Sequence, residues 1–386
     1  MFMATGRSHA FSAKLTAGQR SKRPTARGNV AGHMLKIIRE RIPLTQRTLA
    51  EELGADLTTI QGWESGRRPL TAVAFTQLLD LRRLLLRRGA DPVLLPLLDL
   101  AVEADSVITA TLAAKATDDD WLRHPLSGWV FNRNSTHMII WALDGSTPTA
   151  LPQPPASTPR RRGPAPTSPL LPEPERRAFF TALRRAAEIA DRAGDKGTLL
   201  RRQALYLCSY DTSPDTHAWL ADMRSRQPMK AHQLTWTPAW SDVRSTATSL
   251  TRYGDVETLR AFIARGMSDD AGEAANLNYW AHWLGLDTLP RPDDTFMTRR
   301  SPSSWDPVAL MRSIADRLDP KLGAIDLNVH SVWALAGSKP GVLSADRSLH
   351  ANLSARVATL LERGTVSRQA RRELEALHYG LRLSSQ

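Results

Sequence analysis

Leu44–Arg68 reads LTQRTLAEELGADLTTIQGWESGRR, and its spacing predicts two short helices joined by a tight turn. Leu49, Ala50 and Leu53 recur at helical intervals, as do Ile60 and Trp63 after the turn. Thr45 suits the N-cap of the first helix, with Leu44 and Leu49 placed as a hydrophobic staple. Gly54 falls where a left-handed residue closes that helix, because glycine carries no Cβ penalty there. Asp56 suits the cap of the second helix, and Gly66 ends it.

Two helices set around such a turn make a helix-turn-helix, the unit that lays its second helix in the DNA major groove. The residues Leu44-Thr45-Gln46, Leu49-Ala50, Leu53-Gly54, Ile60 and Trp63-Glu64-x-Gly66-Arg67-Arg68 also resemble the Cro/XRE phage-repressor-like family. The resemblance covers roughly residues 30–90. Beyond it the chain is similar only in layout, and in phrases such as Asn276-Leu277-Asn278-Tyr279-Trp280, to large actinobacterial regulators with a helical C-terminal region.

The resemblance implies a five-helix, lambda-repressor-like DNA-binding domain and a sequence-specific transcriptional regulator. It implies a phosphate contact from Gln46, groove-reading positions at Leu57, Thr58 and Gly62, and an ion pair between Arg39 and Glu64. The residues themselves add more. Gln61 lies beside the groove-reading positions and could bond adenine at N6 and N7, while Thr58 could meet a thymine methyl or bond a base edge. Arg67 and Arg68, just past the second helix, suit phosphate contacts, and so does Arg47. Leu57 and Gly62 offer no hydrogen bonds, so readout is expected to rest partly on methyl contacts and DNA shape. Relatives commonly bind as dimers on half-sites about one turn apart, which makes a homodimer one expectation.

Composition agrees with a polyanionic partner, double-stranded DNA first among them. The chain has 386 residues and a formal net charge of +12. Arginine outnumbers lysine 43 to 8, which suits a GC-rich bacterial genome. Cys208 is the single cysteine, in an apolar phrase, so neither an internal disulfide nor a cysteine-based zinc site is expected. No apolar run approaches the roughly 20 residues that span a bilayer, and no signal peptide is evident. A cytoplasmic, nucleoid-associated protein without cofactor or metal is expected.

The fold is expected to be all-α. Residues 1–28 hold six Lys or Arg and no acid, and read as a disordered basic arm that could track phosphates or enter the minor groove. The helix-turn-helix domain is placed at 29–115. Its last helix, from Pro92 to about Ala114, either closes the core or pairs subunits, and core closure is the expectation. A helical and irregular extension follows at 116–147. Ten of the 25 prolines fall between Pro148 and Pro174, with Arg160-Arg161-Arg162 among them, which predicts a semi-extended linker over 148–174. From 175 to 386 the pattern is helical, in a rhythm that suggests hairpins or stacked repeats, for sensing an effector or binding a protein.

Two other function classes bear on the same residues. One is an interaction adaptor, such as an antitoxin or a plasmid or telomere maintenance factor, docked on DNA through the same motif. Exposed tryptophans among Trp219, Trp236, Trp240, Trp280, Trp283, Trp305 and Trp333 would favour it, whereas buried ones are core. The other is an enzyme, which the absence of a phosphate-binding glycine loop, GxSxG or HExxH argues against. Asp118-Asp119-Asp120 reads as an exposed acidic turn, not a metal site.

Overall fold

A computed structural model describes residues 28–114, 123–153, 168–226, 236–298 and 305–384. The basic arm, the acidic turn at Asp118–Asp120, the Arg160–Arg162 triplet and most of the proline-rich segment lie outside the described residues. Among the described residues the chain is all helical, with sixteen α-helices, short 3-10 turns and no strand. No helix among them is long and apolar enough to cross a membrane.

The first five helices are α1 (Asn29–Glu40), α2 (Gln46–Leu53), α3 (Leu57–Glu64), α4 (Phe75–Arg87) and α5 (Leu94–Ala113). The caps of α2 form as its residues dictate. Thr45 Oγ1 accepts the Thr48 amide at 3.1 Å, and Gly54 closes the helix at φ 61°. Asp56 precedes α3 in an extended conformation, but its side chain makes no capping bond. The apolar spacing from Leu70 to Arg88 suits one unbroken helix, but the chain forms a 3-10 turn at Leu70–Ala72, with α4 starting only at Phe75. Val73 and Ala74 lie between the two in extended conformations.

Next come α6 (Arg133–Asp144), α7 (Glu173–Arg192), α8 (Thr198–Cys208), α9 (Thr216–Ser225) and α10 (Pro238–Leu250). The last six are α11 (Glu257–Gly266), α12 (Asp270–Trp283), α13 (Pro307–Ala315), α14 (Ile325–Ser338), α15 (Arg347–Arg363) and α16 (Arg368–Ser384). Helix α7 starts two residues before the expected domain edge, with Pro174 in its first turn, where a missing N–H costs nothing.

The apolar cores divide the chain elsewhere than at the proline-rich segment. One continuous core runs from Val30 in α1 through α5, α6, α7 and α8 to Met223 in α9, and takes Leu250 from the end of α10. The second holds α10 to α16 and takes Val130 from the N-terminal side. Helix α5 explains the continuity. Leu94, Leu95, Leu97, Leu98, Ala101, Ala104, Val107 and Ile108 are all buried on it, and it packs against α1, α6 and α7 together. Both described ends of the proline-rich segment are tied to this core. Arg41 donates to the Pro152 carbonyl at 2.5 Å, and the Leu171 amide donates to the Ala142 carbonyl at 2.9 Å.

The C-terminal helices depart from stacked repeats, in which each unit meets only its neighbours. Helices α7–α8 and α10–α11 do pack as consecutive pairs, but α14 packs against α11, α12, α13 and α16 at once. It is buried from Ile325 to Val332. Ser331 on it is bonded internally, to Asn276 and Trp280.

Candidate nucleic-acid interface

Helix α3 has two different sides. Ile60, Trp63 and Glu64 are buried against α1 and α2, while Thr58 and Gln61 are exposed. Leu57 is half-buried and packs on the core. The expected phosphate-contacting residues Arg47, Arg67 and Arg68 are exposed, and Gln46 is half-buried.

A hydrogen-bonded network fixes α3 to its neighbours. Arg39 Nε donates to Glu64 Oε1 at 2.5 Å, and its Nη2 donates to Oε2 at 2.9 Å. Arg39 Nη1 reaches the Leu44 carbonyl at 3.2 Å, and Gln46 Nε2 donates to Glu64 Oε2 at 2.7 Å. Burial alone would lower the Arg39 pKa, but the bonds and charge of Glu64 outweigh it and hold it above the ordinary value. The pair therefore joins α1 to α3, and Gln46 adds α2. An amide NH2 has two donors, so Gln46 retains one N–H for a phosphate, beside the helix N-terminus that favours an anion.

Gly62 does not fit base contact. It is buried, and a Cβ built there would lie 2.9 Å from Arg68 Cδ and 3.0 Å from Cγ. The aliphatic stem of Arg68 occupies the space that the missing side chain leaves. Arg68 Nη1 then donates to Thr59 Oγ1 at 2.6 Å. The glycine thus brings an arginine, not a base pair, onto this stretch of α3.

Two residues outside the expected set position the site. Gly32, in the first turn of α1, faces the end of α3 so closely that a Cβ would sit 2.2 Å from the Trp63 carbonyl oxygen. Asp105 of α5 accepts the Val30 and Ala31 amides at 3.0 and 2.9 Å, capping α1 from a distant helix. Burial nevertheless pushes the Asp105 pKa up to about 7 against those bonds. Each left a signal in the sequence: an isolated glycine inside a helical pattern, and a lone acid on an apolar stripe.

An open cleft of about 870 Å³ lies beside the site, lined by Lys36, Gln46, Arg47 and Gln61 and also by Ser168, Pro169 and Leu170. Of the seven C-terminal tryptophans, Trp240, Trp280, Trp283 and Trp305 are buried, Trp219 and Trp236 are half-buried, and Trp333 is the most exposed. They serve mainly as core.

No family model, curated protein or solved structure matches this chain.

Proposed function

We propose that the chain is a sequence-specific DNA-binding transcriptional regulator of the Cro/XRE helix-turn-helix type, with α3 in the major groove. One observation carries the reading: Thr58 and Gln61 are exposed on a helix whose opposite side is held by Ile60, Trp63 and the Arg39–Glu64 pair. Preorganised side chains of this kind can meet base edges without first giving up order. Arg47 and Arg67, exposed on either side of the motif, supply charge for the phosphates, and the net charge of +12 favours approach to a duplex. Arg68 joins the reading surface by lying over Gly62 beside Thr59.

The test is a mobility-shift titration of the full chain on duplexes selected from a random pool, repeated across salt. Wild type should retard a selected duplex, with affinity falling as salt rises. Arg67→Gln should weaken binding to every sequence alike and reduce the log–log salt slope by about 1. If no duplex is retarded even at low salt, the reading fails.

A further inference from the structure

Among the described residues, the buried arginines other than Arg244 are matched with acids. Arg39 pairs with Glu64, Arg201 with Asp191 and Asp242, Arg202 with Asp294, and Arg291 with Asp287. This is the ordinary way to hold a guanidinium out of water. Arg244 breaks the pattern, beside half-buried Arg317 and the more exposed Arg252.

Arg244, Arg252 and Arg317 line a single cleft of about 180 Å³, and no acidic side chain is among its described lining residues. Arg244 is buried and has no ion pair among the described residues. Its Nε donates to Asn276 at 3.0 Å, while its Nη2 is buried with no hydrogen-bond partner. The Nε of Arg317 is likewise unmatched. Arg252 spends its donors on neutral groups, Ser209 Oγ at 2.8 Å and the hydroxyls of Tyr206 and Tyr210 at 3.0 and 2.7 Å.

Aromatic faces partly compensate. The Arg244 guanidinium lies 4.1 Å from the Tyr279 ring centroid and 5.3 Å from that of Trp280, and Arg317 also lies 5.3 Å from Trp280. The residual field is still positive. Burial, with Arg202 and Arg317 nearby, lowers the Arg244 pKa to about 10, although the neighbouring Tyr279 and Tyr206 act the other way. On α6, burial together with Arg133, Arg317 and Arg252 pushes His137 down to about 4. A dianion would neutralise what the protein leaves open and would give the unmatched N–H groups acceptors.

We propose that this cleft binds a small oxyanion of the phosphate class, held between Arg244, Arg252 and Arg317. Its volume suits orthophosphate or pyrophosphate, or the head of a larger phosphate ester whose remainder lies outside. The site joins the two cores, because α10, α12 and α14 line one side while Arg133 and His137 approach from α6. Phosphate binding there would act as an effector site for the whole chain. It does not depend on the DNA reading.

Isothermal titration calorimetry of the full chain tests it, with orthophosphate, pyrophosphate and phenyl phosphate, each against sodium chloride at matched ionic strength. Saturable one-site heat is expected for at least one of the three. Arg317→Gln, or Thr248→Glu if that variant does not fold, should weaken it about tenfold or more. Arg67→Gln, on the proposed duplex-facing side, should leave it unchanged. Phenyl phosphate binding more tightly than orthophosphate would identify an ester head group, and the reverse order a free anion. Heat no greater than that of chloride, or heat insensitive to the cleft variants, would overturn the proposal.

Discussion

Gly32 sets the spacing between α1 and α3 by having nothing beyond its Cα. Because the obstruction to a side chain is the Trp63 carbonyl, 2.2 Å from a built Cβ, relief requires a helix to move. Gly32→Ala should therefore destabilise the protein by about 2–3 kcal/mol, seen as a lower urea midpoint. A helix-propensity gain of about 1 kcal/mol would be the only effect if the two helices did not cross there. Gly62 makes the contrast. Its sequence position pointed to the groove, but the space above it is filled by Arg68, nearby in sequence yet placed by the chain's return after Gly66. Spacing along a helix shows which residues share a side, not which later side chain folds back over it. A third residue, Glu103, carries a pH signature. Burial lifts its pKa to about 7, against bonds from Ser135 and Trp129. A folded-state value above the unfolded one means that the folded chain holds the proton more tightly. The contribution of Glu103 to stability should therefore fall as pH rises from about 4.5 to 7 and level off above. Glu103→Gln should remove that contribution, so its stability relative to wild type should rise between pH 4.5 and 8, by on the order of 2 kcal/mol. Parallel melting curves against pH would contradict it.

At the scale of elements, α3 is held by an ion pair at one side and by Trp63 and Ile60 in the core. A buried guanidinium that loses its carboxylate is costly, so Glu64→Ala should lower stability by about 3–5 kcal/mol. Adding Arg39→Met should recover much of that loss, because the stranded charge goes with it. If the double variant is no better than the single, the pair does not act as described. Caps and helix edges near the motif were legible because they depend on neighbours in sequence, as at Thr45 and Gly54. The long-range cap was not. Asp105 sits 74 and 75 positions from the amides it accepts, and only the fold brings them together. The same limit applies to Leu70, where extended Val73 and Ala74 separate a 3-10 turn from α4 although the apolar pattern runs on through both.

For the whole molecule, the all-helical class followed from periodicity, whereas the division of cores did not. Prolines mark where a chain cannot form regular structure, but they do not prevent helices on either side from sharing one interior. Helix α5 is buried by α1, α6 and α7 together, so a fragment ending at residue 115 would expose apolar surface on its inner side. That fragment should lose the cooperative melting of the full chain, while one ending at residue 226 should retain it for the first core. Equal cooperativity in the shorter piece would show that the motif is self-contained. The proposal that α3 reads base pairs through Thr58 and Gln61 is tested most directly by comparing selected binding-site profiles of wild type and Gln61→Ala. The account predicts that preference is lost at one or two adjacent base pairs, by about 1–3 kcal/mol, with the rest of the site retained. Superimposable profiles at every position would contradict it.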